Sequence, residues 1–180
     1  MSRMFKATLM LVSALALTAC GFHLRQSAAL PEAMQRVHLT VNGGIDLQRD
    51  LARALEASGA TVEEKPGPGI AELRVPLATF STETLTVSGY ARVTEYAVRY
   101  QVQFQLNDGN GQVLLPPQNV SMSREFSYDA TNTIGTTAQV EEIQRSLNDD
   151  MVQSILFRLQ ALQKHGGGAV APAAASSAAR

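Results

Sequence analysis

A single cysteine, Cys20, occurs among the 180 residues, and tryptophan is absent. One cysteine permits no intramolecular disulfide, so the fold must be held by packing alone. Charge of one sign is not in excess either: 15 Lys and Arg stand against 16 Asp and Glu, a formal net charge of −1. Such a balance sets up no global field for an anionic polymer, and nucleic acid is not an expected partner. The three histidines are His23, His38 and His165. None has a partner at a metal-ligand spacing, and no nucleophile, base and orienting group form a recognisable set. The glycine-rich stretches lack both the Lys-Ser/Thr of a P-loop and dinucleotide spacing. The acidic pairs Glu63-Glu64, Glu141-Glu142 and Asp149-Asp150 are expected to be solvated. A protein that is not an enzyme, with neither metal nor cofactor, is therefore expected. Long apolar runs are also missing. The run Ala7 to Leu17 is about 11 residues, where a bilayer-spanning helix needs roughly 20.

What that run does have is a setting. Arg3 and Lys6 precede it and Leu17-Thr18-Ala19-Cys20-Gly21 closes it, a secretory signal with its cut before a cysteine. This is a lipobox. Residues 1–19 are expected to be removed, leaving Cys20 as a lipid-bearing N-terminus and 161 mature residues with a net charge near −3. Gly21 replaces the aspartate that retains lipoproteins at the inner membrane, so the expected location is the periplasmic side of the outer membrane. A lipoprotein cysteine carries several acyl chains. Each buried methylene contributes about 0.8 kcal/mol and two or more chains anchor firmly, so no further membrane segment is needed.

The mature chain divides by pattern. Residues 20–34 read as a lipidated tether ending in Leu30-Pro31. Residues 35–164 read as one domain, ample for a core. Val37, Leu39 and Val41 alternate with polar residues as a strand with one buried face. After Asn42-Gly43-Gly44, the residues Leu47, Leu51, Ala54 and Leu55 mark an amphipathic helix ending before Gly59. Pro66-Gly67-Pro68-Gly69 is a loop. Leu73, Val75 and Leu77, then Leu85 and Val87, predict one long strand or two with a bulge.

Tyr96, Val98, Tyr100, Val102, Phe104 and Leu106 occupy every even position of the clearest strand, against Arg99, Gln101, Gln103 and Gln105. Asn107-Asp108-Gly109-Asn110-Gly111 predicts a hairpin. In the strand that follows, Val120, Met122, Phe126 and Tyr128 share a face, and Pro116-Pro117 marks an edge or a bulge. From Gln139 to Gln163 the period becomes helical, and the helix spans roughly 37 Å at 1.5 Å per residue. Residues 165–180, Gly- and Ala-rich, are expected to be disordered. The sum is an α+β two-layer sandwich, two helices on one face of a mainly antiparallel sheet of about four strands. Its other face is rich in Gln and Ser.

Cys20-Gly21-Phe22-His23-Leu24-Arg25 resembles the mature N-terminus of the LptE (RlpB) family of lipopolysaccharide-assembly lipoproteins. The element order through Ser123-Arg124-Glu125-Phe126 and the long helix is similar too, over roughly residues 20–163. The resemblance implies a non-enzymatic outer-membrane component seated in the lumen of the LptD β-barrel as plug and assembly factor, able to bind lipopolysaccharide. Barrel contact would then fall on Gln101 and Gln103, with Arg92, Arg99 and Arg124 as candidates for lipopolysaccharide. The sequence departs from the family in its basic residues: none stands at 87–91, and none in the loop 130–137. The competing reading is a periplasm-facing lipoprotein that binds a lipid or small ligand without a barrel. It requires an apolar pocket of several hundred Å³ between helices and sheet.

Overall fold

Val37 and Leu39 are buried while Arg36 and Thr40 face solvent, so the first alternation becomes strand β1 (Arg36–Val41). The structure is a computed structural model and describes residues 30–87, 93–127 and 133–164. The signal segment, Cys20, Arg92 and the tail 165–180 lie outside the described residues. Helix α1 (Ile45–Ala57) follows, with Leu47, Leu51 and Leu55 buried at four-residue spacing. Strands β2 (Thr61–Glu63), β3 (Ala71–Val87), β4 (Val93–Asn107) and β5 (Val113–Ser127) complete the sheet, and helix α2 (Thr133–Lys164) ends it.

The two-layer α+β class matches the pattern reading, but among the described residues the sheet has five strands and is mixed. Its order is β2-β1-β3-β4-β5. β1 runs parallel to both neighbours, and only β3, β4 and β5 form an antiparallel meander. The helical crossover by α1 returns the chain to the end from which β1 set out, so β2 starts in the same direction, and the loop 64–70 makes the second return, for β3. β2 has only three residues, too few for alternation to show.

The proline at 76 sets a second departure. Proline cannot donate to a ladder, and the β3 register shifts between Arg74 and Leu77. The shift reverses the strand's parity. Leu73 and Val75 point into the core, then Ala78 does, while Leu77 turns outward and is 44% exposed. Leu85, read as resuming the buried pattern, is exposed as well. In β5, Pro116-Pro117 lies inside the strand at the sheet edge, beside a register shift, as the pair suggested.

Every even residue of β4 from Val98 to Leu106 is buried, and Tyr96 is half-buried against Phe126. α2 presents Leu147, Met151, Ile155 and Leu159 to this surface. It starts six residues before Gln139, because residues 133–138 hold a single large apolar residue, Ile134, among Thr, Gly and Ala and carry no stripe to read. Leu30 and Met34 belong to the segment read as tether. Both are nonetheless buried, Met34 completely, in a short 3-10 turn (Glu32–Met34) against the core.

Asn148 is a polar residue buried on α2, and its Nδ2 donates to Asp50 Oδ2 of α1 at 2.8 Å. The bond crosses the helix pair. Asn148→Ala is expected to cost about 1.5 kcal/mol, the value of a hydrogen bond to a charged group, measured as a lower urea midpoint at unchanged slope.

Candidate functional site

Two surfaces converge on named polar side chains. The first is the sheet face turned away from the helices, where cross-strand register sets rows. Thr79, Gln101 and Ser121 form one row, and Leu77, Gln103 and Asn119 the next. Arg99 stands between Ser81 and Ser123. It donates from Nη2 to Glu83 Oε2 at 2.8 Å, while its Nε is buried and finds no hydrogen-bond partner. Lower on this face Glu72 pairs with Arg74, and Arg36 Nε with Glu63 Oε1 at 2.8 Å. Hydroxyl and amide groups dominate the middle of the face, with the Arg99–Glu83 ion pair beside them.

The structure thus brings Arg99, Gln101 and Gln103 together. Arg124 is not with them. It stands opposite Val98, on the helix side of the sheet edge, where its Nη2 bonds Asp150 Oδ2 of α2 at 2.7 Å. Its parity with Met122 and Phe126 already carried that assignment, since alternate residues of a strand share a face.

The second surface is a cleft of about 610 Å³ between the start of α1 and the first half of α2. No local pattern pointed to it, because residues 46, 80, 100 and 145 meet only through the fold. Its floor is the stacked pair Phe80 and Tyr100, ring centroids 3.9 Å apart at an interplanar angle of 9°. Asp46, Asp50, Glu141 and Asp149 line it, with Arg49 and Arg145. Both arginines are engaged: Arg49 with Asp46 at 2.9 Å and Asp50 at 3.2 Å, and Arg145 with Glu142 at 3.2 Å. Tyr100 is 1% exposed. Burial, with the nearby Asp46 carboxylate, pushes its phenol up to about 12, so it stays a neutral donor at any physiological pH.

The entrance owes its shape to a glycine. Gly43 has φ +84, a conformation in which L side chains are strained, and a Cβ there would stand 2.8 Å from the Ala78 carbonyl oxygen. The β1–α1 turn therefore passes directly over β3 at Ala78. Among the described residues no group of His, Cys, Asp and Glu is placed to hold a metal ion, and no helix is long and apolar enough to cross a membrane.

Similar folds occur in bacterial lipoproteins. Lipoprotein B of Nitrosomonas europaea, a solution structure, is 27% identical with a TM-score of 0.70, covering 81% of this chain and 94% of that one. A minor lipoprotein of Acinetobacter baumannii is 26% identical with a TM-score of 0.59, covering 71% and 92%. Rare lipoprotein B of Shewanella oneidensis shares the fold at 15% identity, with a TM-score of 0.63 over 72% and 97%. No curated protein matches the chain significantly in sequence. The family model for LptE, lipopolysaccharide-assembly, matches residues 34–159, from the buried Met34 to the last fully buried leucine of α2. The chain belongs to the LptE lipopolysaccharide-assembly family.

Proposed function

We propose that this protein is a lipid-anchored outer-membrane subunit of lipopolysaccharide export, seated as a plug in the lumen of an LptD-type β-barrel. There it assists barrel assembly and the passage of lipopolysaccharide to the outer leaflet, without catalysis of its own. The observation that carries the reading is the broad polar face built by Thr79, Ser81, Gln101, Gln103, Ser121 and Ser123 on one rigid meander. Barrel lumens of this type are polar, and a plug needs a surface that exchanges water for polar wall. The Cys20 lipid would hold the domain at the periplasmic leaflet and raise its effective concentration at a nascent barrel. Among the sequence-derived lipopolysaccharide candidates, Arg99 suits the role best, since its Nε is unsatisfied on the proposed contact face. A lipid-binding role without a barrel is less well supported, because six charged residues line the cleft that a lipid tail would have to occupy.

The test is affinity purification of the lipidated protein from detergent-solubilised outer membranes, with bound material identified by mass spectrometry. A large β-barrel protein in equal amount is the expected result. Phospholipid or a small molecule with no barrel overturns the proposal. In the same assay, Gln101→Leu with Gln103→Leu is expected to lower barrel recovery at least tenfold. Folding stability should change by less than about 0.5 kcal/mol per site, as for other surface positions.

A further inference from the structure

β3 outlasts its neighbour. The last β1–β3 bond runs from the Asn42 amide to the Val75 carbonyl at 2.9 Å, and the turn at Gly43 then crosses Ala78 into α1. From Thr79 onward β3 pairs with β4 alone, and among the described residues no strand covers its other edge. Thr79 to Leu85 offers about 23 Å of backbone at 3.3 Å per residue.

Such an edge is normally guarded by shortness, proline or charge. The other two edges are: β2 has three residues, and β5 carries Pro116-Pro117, Arg124 and Glu125. The run Thr79-Phe80-Ser81-Thr82-Glu83-Thr84-Leu85 has high β propensity and no proline, and its one charge is bound by Arg99. Residues 81–85 are exposed on both faces of the sheet.

The edge adjoins the cleft through Phe80, which belongs to both. The charges that line the cleft sum to about −2, with both arginines already paired, and the Tyr100 hydroxyl has no hydrogen-bond partner among the described residues. A Cβ on Gly44 would lie 3.6 Å from the Tyr100 hydroxyl, which places that hydroxyl at the cleft beside the start of α1. A strand added along Thr79–Leu85 would send every second side chain to the side of Phe80, over the cleft. A lysine or arginine there would meet the carboxylates, an open phenol oxygen able to accept, and an aromatic face suited to a cation.

We infer that the free edge of β3 from Thr79 to Leu85 is a strand-addition site for an extended, basic segment of a protein partner, one of whose cationic side chains enters the cleft over Phe80 and Tyr100. Main-chain pairing supplies affinity and the cleft supplies selection, the division of labour seen wherever a peptide extends a sheet. The inference rests on edge and cleft geometry alone and leaves the outer polar face free, so it stands or falls apart from the barrel reading.

The experiment presents a displayed library of random ten-residue peptides to the purified chain and maps bound peptides by amide hydrogen exchange. The expected result is enrichment of Lys or Arg alternating with β-branched residues, and protection of amides within Thr79–Leu85. Asp46→Lys with Asp149→Lys, both on the exposed rim, should weaken the selected peptides at least tenfold. Tyr100→Phe should weaken them severalfold, and Gln101→Leu should leave them unchanged. No enrichment, a set without basic residues, binding indifferent to the charge reversals, or protection elsewhere overturns the inference. Edge protection without peptide also overturns it. If that protection vanishes on deleting residues 21–29 the occupant is the chain's own leader, and if it rises with protein concentration the occupant is a second copy.

Discussion

Replacing Phe104 by alanine is expected to cost about 3–5 kcal/mol of folding stability, the range for deleting a large aromatic from a packed core. Phe104 is fully buried on β4, which lies between β3 and β5 and beneath α2. Alanine leaves a void that the β4 backbone, bonded on both sides, is poorly free to fill. A domain of this size has about 5–15 kcal/mol in total, so the variant stands close to unfolding. Its neighbour Gln103 is on the opposite face, and Gln103→Ala should change stability by less than about 0.5 kcal/mol. Chemical denaturation of the two variants measures the asymmetry of the sheet. Comparable losses would mean that the polar face is itself packed in a core, and the plug proposal would lose its surface.

A single methyl at Gly109 is expected to cost about 2–3 kcal/mol, the upper range for overpacking that moves backbone. A Cβ there would stand 2.4 Å from the Cα of Gly69 and 2.7 Å from the Ile70 nitrogen, distances that real Cβ atoms do not show. Neither side can yield cheaply. The Gly69 amide donates to the Gly109 carbonyl at 3.1 Å, and Asp108 Oδ1 holds the hairpin by accepting from the Asn110 and Gln112 amides at 2.9 and 2.7 Å. Gly67→Ala, whose nearest obstacle is the end of the Ile70 side chain at 3.4 Å, is the control and should stay within about 0.5 kcal/mol. Thermal unfolding of both variants separates a clash of backbones from a general intolerance of the Pro66–Gly69 loop.

Legibility varied from one element to the next for a common reason. β4 was readable from Tyr96 to Leu106 because six alternations in a row repeat a local rule, and the stripe from Val140 to Leu162 did the same for most of α2. The first turn of α2 had no stripe, and β2 had no length, so neither left a trace. The face of Arg124 was legible from its parity with Phe126, but its partner Asp150, 26 positions away on α2, was not. The Pro76 bulge was legible as a proline, but its effect, turning Leu77 outward, depends on where the partner strands lie.

Local patterning by itself determined the secondary structure of the long elements, the two-layer class and the polar character of one sheet face. Each follows from neighbours a few residues apart, where period and side-chain polarity act directly. Tertiary structure decided the rest: that β1 runs parallel to β3, that β1 stops pairing with β3 at Val75, and that Asp46, Phe80, Tyr100 and Asp149 share one cleft. Those relations join residues tens of positions apart through strand order and the crossover by α1. They arise when the chain buries its apolar faces together, a choice made by the whole core and by no segment of it.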